Sequence, residues 1–425
     1  MTVLTAGAAL PLLASQSGRW ARRRQDPGDP MDNCGAVFRF TGPLRRDALE
    51  RAVAQAYAET EALRVVFTER AGRVTQSVTP AGGPTPWTTT GLSSDDAATE
   101  HMRRLLAVPF SLSGGGPLCL HALIDTPDST WFLFLYDHLT LDAYGVHRYL
   151  TRVTRLYDAF RHGRPAPPSS FAPLERLVEE ERAYRDSPRA RRDLAHWRTV
   201  LSAPIPSSGF TSLRAPAGAR PLRVTRRVPD ATRSAFRALS AASGARWPAS
   251  VVTAMACELS RATGAGTVGI GLPVANRATP TAARTPVNAV KELPLRIDVG
   301  AAGTFAELLA SVSRQITDGL MHQRAPLEQL PIPKLHTFVN VIVGEPPRFP
   351  GSHAEFRVLS AGPTSGFRVD CHGDAAREAS LTFEANSRLY GRTEIQERAD
   401  SFGALLHALL SDADAPLTDV CETAA

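Results

Sequence analysis

The feature that most constrains this chain is an apolar and aromatic hexapeptide, WFLFLY at 131–136, that runs directly into the sequence DHLTLDAYG at 137–145. Such a run predicts a buried strand. The segment PLCLHALID at 117–125 is separated from it by the polar turn TPDST, which predicts a hairpin of a central sheet. Apolar residues then recur every three or four positions between 146 and 160, which predicts a long helix that begins close to His138.

Strands alternate with helices in both halves of the sequence. A β-α-β beginning is predicted by the strands VFRF (37–40) and LRVVF (63–67) around a helical segment, PLRRDALERAVAQAYAE. Later helices are predicted near 174–202, 230–243, 248–262, 304–320 and 396–411, and later strands at GTVGIGL, LPLRIDV, FVNVIV, EFRVL and SLTFEA. This alternation favours two α/β sandwiches. The Pro-rich segment at 161–173 breaks both patterns, so the predicted domains are residues 1–165 and 166–425.

Composition and charge exclude several classes of protein. No apolar run approaches the roughly 20 residues that a membrane span requires. The net charge is +6, but only two of the 48 basic residues are Lys and no nucleic-acid motif is present. The five cysteines form no CxxC pair, which signals neither a disulfide framework nor a zinc site and predicts a reducing cytoplasm. Two short groups of arginines occur, Arg22–Arg24 and Arg189 with Arg191 and Arg192. They could meet an acidic partner or a phosphate, but a solvated face is the favoured interpretation.

The polar motif after the hexapeptide has several readings from its residues alone. His138 and Asp142 are four positions apart and share a face of a helix or turn. In one reading Asp142 caps the helix and His138 is a buried imidazole satisfied by the backbone. A metal site is disfavoured because no third His or Cys has a helpful spacing. In the functional reading, partial desolvation lowers the pKa of His138 and favours the neutral imidazole, which accepts a proton near neutral pH.

The segment DHLTLDA resembles the HHxxxDG motif of the condensation domains of non-ribosomal peptide synthetases and of their chloramphenicol-acetyltransferase-like relatives. Further segments resemble family motifs in the same order: LPLLASQSGRW (10–20), FTGPLRRDALERAV (40–53), TEALRVVF (60–67), LAHWRTVL (194–201), GLPVANR (271–277), LPLRIDV (293–299) and MHQRAPLEQL (321–330). Ordered matches over nearly the whole chain make the resemblance far more specific than one short motif.

The resemblance implies two acetyltransferase-like α/β lobes arranged as a V around a central tunnel. It implies transfer of an acyl or peptidyl group from the phosphopantetheine arm of a carrier protein to an amine or hydroxyl acceptor, with no permanently bound cofactor or metal. His138 matches the catalytic His, as a base or as a group that orients the amine. Asp142 is expected to pair with Arg296 across the lobe junction, and Asn340 is expected to donate to the oxyanion.

The sequence departs from the family pattern in five places, one of which is Thr60 at the position of the His of RHExLR. The first His of the motif is Asp137, which either supports the loop harmlessly or raises the pKa of His138. The motif's Gly is Ala143, FVNT is replaced by AVKE at 289–292, and the late RDxSRNPL motif is missing. These changes fit either an altered substrate or a domain that has lost catalysis.

The resulting hypothesis is a free-standing, cytoplasmic and monomeric condensation enzyme of secondary metabolism. Its carrier protein would be supplied in trans and would dock through the arginine groups. The alternative is an inactive condensation-like module that recruits a tailoring enzyme or a carrier protein. A third alternative is acyl transfer to or from a free molecule such as acyl-CoA, which requires no carrier.

Overall fold

The protein is described by a computed structural model at residues 7–81, 85–112, 116–217, 221–342, 344–375 and 378–418. Its helices are α1 (Ala14–Gln25), α2 (Arg46–Glu59), α3 (Asp95–Leu106), α4 (Ala143–Arg161), α5 (Leu174–Arg185), α6 (Pro188–Val200), α7 (Asp230–Ser243), α8 (Trp247–Thr263), α9 (Pro280–Arg284), α10 (Phe305–Met321) and α11 (Arg392–Ser411). Its strands are β1 (Leu10–Pro11), β2 (Asn33–Phe40), β3 (Val65–Arg70), β4 (Arg73–Val78), β5 (Trp87–Gly91), β6 (Cys119–Asp125), β7 (Thr130–Asp137), β8 (Leu222–Arg227), β9 (Thr267–Val274), β10 (Lys291–Asp298), β11 (Thr337–Ile342), β12 (Ala354–Ser360), β13 (Phe367–Asp374) and β14 (Glu378–Ala385).

The chain divides into two compact units, each built from three separate segments. The first unit comprises Met1–Asp186, Ala275–Val290 and Glu345–Gly362, and the second comprises Ser187–Val274, Lys291–Gly344 and Pro363–Ala425. The predicted boundary at 165/166 therefore does not coincide with this division. The Pro-rich segment follows the end of α4, but α5 still packs its apolar face into the core of the first unit.

The first unit is organised around a five-stranded sheet in the order β12-β2-β7-β6-β5. Strands β6 and β7 pair antiparallel over their whole length, so the hairpin predicted from the sequence is confirmed. Side chains Phe132 and Phe134 lie in the core that contains α2 and α4, whereas Leu133 and Leu135 lie in a cluster with α3. Strand β7 is therefore buried on both faces, as its unbroken apolar sequence requires.

The second unit contains a six-stranded sheet in the order β10-β9-β11-β13-β14-β8. One face carries apolar side chains that pack with α8, α10 and α11. Strand β12, predicted as part of the second domain, instead pairs antiparallel with β2 in the first unit. This pairing joins residues more than 300 positions apart, and such long-range partners are not encoded in a local pattern.

The helix predicted over 174–202 is two helices, α5 and α6, and the division between the units falls at the break. Ser187 is the N-cap of α6, and its hydroxyl accepts a hydrogen bond from the backbone N–H of Ala190 at 3.1 Å. Pro188, which has no N–H to donate, occupies the first turn of α6. One helix therefore ends and another begins in a region where the apolar periodicity alone predicts a single helix.

Candidate active site

The motif after β7 forms a short turn whose backbone is held from two sides. The N–H of His138 donates to the carbonyl of Asp32 at 2.8 Å, and the side-chain amide of Asn288 donates to the carbonyl of His138 at 2.8 Å. Within the turn, the N–H and hydroxyl of Thr140 both donate to the carbonyl of Asp137. The position of the His138 backbone is thus fixed by residues from distant parts of the first unit.

The imidazole of His138 is partly exposed and makes no hydrogen bond to any other described residue. Its Nδ1 atom is buried without a partner. Desolvation and, after it, the charge of Arg19 lower the pKa of His138 to about 3, while Asp32 opposes them. The ring is therefore neutral at pH 7 and offers an unprotonated nitrogen as a hydrogen-bond acceptor.

The charges beside His138 come from helix α1 and from the residues before β2. Asp32 is fully buried and accepts hydrogen bonds from Arg19 at 2.8 Å and from Arg22 at 2.5 and 2.7 Å. Burial alone would raise the pKa of Asp32, but Arg19 and Arg22 outweigh it and hold this pKa below its ordinary value. Arg24 pairs with Glu69 at 2.6 Å and Arg23 lies 3.2 Å from Asp137, so all three members of the group at 22–24 have partners within the chain.

The carboxylate of Asp137 contacts Leu139 of the loop and Arg23 of α1. One oxygen accepts from the N–H of Leu139 at 2.8 Å, and the other lies 3.2 Å from the guanidinium of Arg23, which is itself buried. Burial raises the pKa of Asp137 to about 6, although Arg23 opposes this shift. His138 owes its lowered pKa to other groups. Of the two roles considered for Asp137, this geometry favours support of the loop.

Asp142 is the N-cap of α4, and its carboxylate connects three elements of the first unit. One oxygen accepts from the N–H of Gly145 at 2.8 Å and from Arg277 at 2.9 Å, and the other accepts from the N–H of Ala289 at 2.9 Å. The side chains of Asp142 and Arg277 are 3% and 6% exposed. A buried carboxylate is stable only with such partners.

The predicted pairing of Asp142 with Arg296 is wrong in this structure, since Arg277 occupies that role. Arg296 lies on β10 of the second unit, where it donates to the carbonyl of Pro204 at 3.3 Å and lies 3.8 Å from Asp298. Arg296 follows the buried Leu295 and projects from the opposite face of the strand.

The segment Ala275–Val290 supplies several hydrogen bonds to the loop, and it approaches α4 closely at Gly145. A Cβ at Gly145 would lie 3.0 Å from the carbonyl oxygen of Val287, so a larger residue there would displace the segment. The family's Gly position is Ala143, which is exposed in the first turn of α4. The close approach therefore requires a glycine at position 145, two residues after the family's glycine position.

Asn340, the expected oxyanion donor, lies on β11 of the second unit. Its side-chain amide donates to the carboxylate of Asp370 on β13 at 3.1 Å, and Asp370 in turn lies 3.1 Å from Arg368. The substitution AVKE places Lys291 at the start of β10, where its ammonium group donates to the carbonyls of Arg324 and Ala325 at 2.8 and 2.7 Å. This lysine therefore binds the turn that follows α10.

Several residues at the loop were not assigned a role from the sequence: Arg19, Asp32, Arg277 and Asn288. Two of them lie inside matched segments, since Arg19 belongs to LPLLASQSGRW and Arg277 ends GLPVANR. Those matches were the available signal for both arginines. Asp32 and Asn288 carry no motif and act through backbone contacts that depend on the tertiary fold.

The described residues contain no group of three or more His, Cys, Asp and Glu side chains arranged to hold a metal ion. Among the same residues, no helix combines the length and the apolar character needed to cross a membrane. The loop itself offers a neutral imidazole, a capped helix start and a set of internal ion pairs.

These features define a class of protein, an acyltransferase-like fold of two α/β lobes of the chloramphenicol-acetyltransferase type. A solved structure, the first condensation domain of the calcium-dependent antibiotic synthetase in complex with substrate analogue 3a, matches with a TM-score of 0.87 and 26% identity, covering 96% of this chain and 98% of that one. The family model described as "Condensation domain" matches residues 8–423. The chain belongs to the condensation-domain family of non-ribosomal peptide synthetases.

Two curated relatives are much longer than this chain. Isonitrile lipopeptide synthase of Streptomyces coeruleorubidus is 30% identical over 433 residues, which cover 96% of this chain and 29% of that protein. Enterobactin synthase component F of Escherichia coli (strain K12) is 25% identical over 419 residues, which cover 95% of this chain and 32% of that protein. The chain spans about a third or less of the length of these relatives.

Proposed function

We propose that this protein transfers an acyl or peptidyl group from the phosphopantetheine thioester of a carrier protein to an amine, and that His138 contacts the attacking nitrogen. The observation that carries the proposal is the imidazole of His138. It is neutral, partly exposed and free of hydrogen bonds to the described residues, while its backbone is fixed by Asp32 and Asn288. A fixed acceptor with no internal partner is suited to bind a donor from a substrate.

The low pKa of His138 favours orientation of the nucleophile over removal of its proton. A general base works best when its pKa lies near the working pH, and a pKa of about 3 makes the imidazole a weak base. A neutral amine attacks a thioester carbonyl without prior loss of a proton, whereas a hydroxyl group has a greater need of a base. Among the acceptors considered, the site therefore favours an amine and an amide product.

In the proposed reaction, the amine nitrogen donates a hydrogen bond to His138 while its lone pair attacks the thioester carbon. The C–N bond forms and the C–S bond breaks, and the proton lost by the nitrogen ends on the departing thiol. Asp142 and Arg277 act through the backbone, because they hold the start of α4 and the segment that carries Asn288. The oxyanion role of Asn340 remains a prediction.

The test is intact-mass spectrometry of a phosphopantetheinylated carrier protein loaded with an acyl group and incubated with an amine and the native protein. The expected result is loss of the acyl mass from the carrier and formation of the amide, with neither change in the presence of His138→Ala. The variant Arg296→Ala serves as a control, since its hydrogen bond is to Pro204 and its ion pair is with Asp298, neither of which belongs to the loop. Equal turnover by the native protein and His138→Ala would overturn the proposal.

Two alternative outcomes have separate signatures in the same assay. Binding of the loaded carrier without transfer to any tested amine would favour the recruitment role, for which Asp137 is the motivating substitution. Transfer from acyl-CoA at the rate seen with the loaded carrier would identify a free thioester as the donor.

A further inference from the structure

The imidazole of His138 lacks the hydrogen bond to another residue that commonly orients a functional histidine. Such a ring is usually held by a hydrogen bond from one nitrogen to a carboxylate or carbonyl, which leaves the other nitrogen for the substrate. Here Nδ1 is buried and has no partner among the described residues. Hydrogen bonds fix the backbone of His138 through Asp32 and Asn288, but they do not fix the rotation of its ring.

A different contact restricts the ring, and it comes from the backbone at Gly362. This residue is buried and has a φ angle of +94°, a conformation that side-chain-bearing residues rarely adopt. A Cβ at Gly362 would lie only 2.8 Å from Cδ2 of His138 and 3.6 Å from Nε2. The backbone of Gly362 therefore packs against the ring edge that carries Nε2, closer than any other residue type would allow.

The position of Gly362 is itself fixed relative to the histidine loop. Its N–H donates to the hydroxyl of Ser360 at 3.3 Å, and that hydroxyl donates to the carbonyl of Asn33 at 3.1 Å. Asn33 begins β2, where it pairs with Asp137, the residue before His138. Ser360 pairs with Gly35 on the same strand. One strand thus positions both the loop that carries the imidazole and the glycine that packs against it.

We propose that Gly362 is a positioning residue for the condensation reaction, because its bare backbone holds the imidazole of His138 in the orientation that presents Nε2 to the substrate. This inference rests on the proposed function for its catalytic consequence, but its structural claim concerns the ring alone. Steric packing here takes the place of the hydrogen-bonded partner that Nδ1 lacks. A methyl group at position 362 would displace the ring by its contact with Cδ2.

The test compares Gly362→Ala with Gly163→Ala. Gly163 also has a positive φ angle, +67°, but a Cβ there meets nothing within 4 Å, so it controls for backbone strain without contact to the histidine. For Gly362→Ala we expect kcat for acyl transfer to fall about 10- to 100-fold, as misplacement of a reacting group predicts. KM for the loaded carrier should change by less than about twofold, because the geometry of the loaded complex is unchanged elsewhere.

The second readout does not require activity. NMR of protein with ¹³C-labelled histidine rings reports the environment and tautomer of His138, whose signal is assigned by its loss in His138→Gln. We expect Gly362→Ala to move this signal and Gly163→Ala to leave it in place. An unmoved His138 signal in Gly362→Ala, or a kcat equal to that of Gly163→Ala, would overturn the inference.

The two readouts separate this inference from the proposed function. If the native protein transfers no acyl group but the His138 signal moves in Gly362→Ala, the proposed function fails and the positioning role is supported. If the native protein is active and Gly362→Ala changes neither kcat nor the ring signal, the function is supported and the positioning role fails. A Gly362→Ala protein that does not fold is recognised by its lost circular dichroism. The ¹³C relaxation of the His138 ring in the native protein then decides the question, since a rigid ring supports the inference and a freely rotating ring overturns it.

Discussion

Replacement of Arg277 by Ala tests the ion pair that connects α4 to the segment Ala275–Val290. The substitution removes the guanidinium that lies 2.9 Å from Asp142 and also donates to the carbonyl of Val287 at 2.7 Å. Both charged side chains are almost fully buried. Removal of one partner from a buried pair costs about 3–5 kcal/mol of the free energy of unfolding, because the remaining charge is left without compensation. Asp142 keeps two backbone N–H donors, which places the expected loss near the lower end of this range.

The matched control is Arg296→Ala, the arginine that the sequence resemblance assigns as the partner of Asp142. Arg296 is a third exposed and lies 3.8 Å from Asp298, so its removal should cost no more than about 0.5 kcal/mol. Arg277→Lys should recover only part of the loss, since one ammonium group cannot reproduce the contacts of the planar guanidinium. Urea unfolding followed by circular dichroism, with equal slopes for all variants, measures the differences. A loss with Arg296→Ala equal to that with Arg277→Ala would refute the assignment of the partner.

Three further substitutions test other parts of the site. Asn288→Ala removes the hydrogen bond to the carbonyl of His138, and we expect turnover to fall about tenfold or more in a steady-state transfer assay, with Asn288→Asp equally impaired because it lacks the donor. Burial raises the pKa of Asp137 to about 6, so the folded state binds a proton more tightly than the unfolded state. The free energy of unfolding relative to Asp137→Asn should therefore fall as the pH rises from about 4 to about 6 and stay level above that. A difference between the two proteins that does not change with pH in unfolding experiments would contradict burial as the cause of this pKa. Gly145→Ala should lower the free energy of unfolding by about 1–3 kcal/mol through its contact with Val287, whereas Ala143→Gly should cost at most about 1 kcal/mol. A Gly145→Ala protein as stable as the native protein in thermal unfolding would contradict the close approach at Gly145.

Much of the fold could be predicted from the sequence, because local hydrophobic patterns indicated individual strands and ordered motifs indicated the family. The apolar run at 131–136 encodes a strand buried on both faces, and the hairpin with β6 follows from the polar turn between them. The motif matches, taken together, indicated the two-lobe architecture and the family. The pairing of β12 with β2 and the return of Ala275–Val290 to the first unit depend on contacts between residues far apart in sequence, for which no local pattern exists.

The sequence locates the candidate site through its motif but does not reveal most of the residues that support it. His138, Asp137 and Asp142 follow from the motif because they lie within six positions of one another. The partner of Asp142 does not, because two arginines in matched segments were available and only the tertiary structure distinguishes Arg277 from Arg296. The role of Gly362 could not be predicted from the sequence for a further reason. It depends on the absence of a side chain and on a positive φ angle, and neither of these leaves a motif in the sequence.

The most direct test of the account is the single-turnover rate of amide formation from an acyl-loaded carrier, measured for the native protein and for His138→Gln at saturating amine. Glutamine retains a polar side chain, yet it cannot place an imidazole nitrogen against the attacking amine. The account predicts a rate at least about 100-fold lower for His138→Gln, with the affinity for the loaded carrier unchanged. Equal single-turnover rates for the two proteins would contradict the claim that His138 orients the nucleophile.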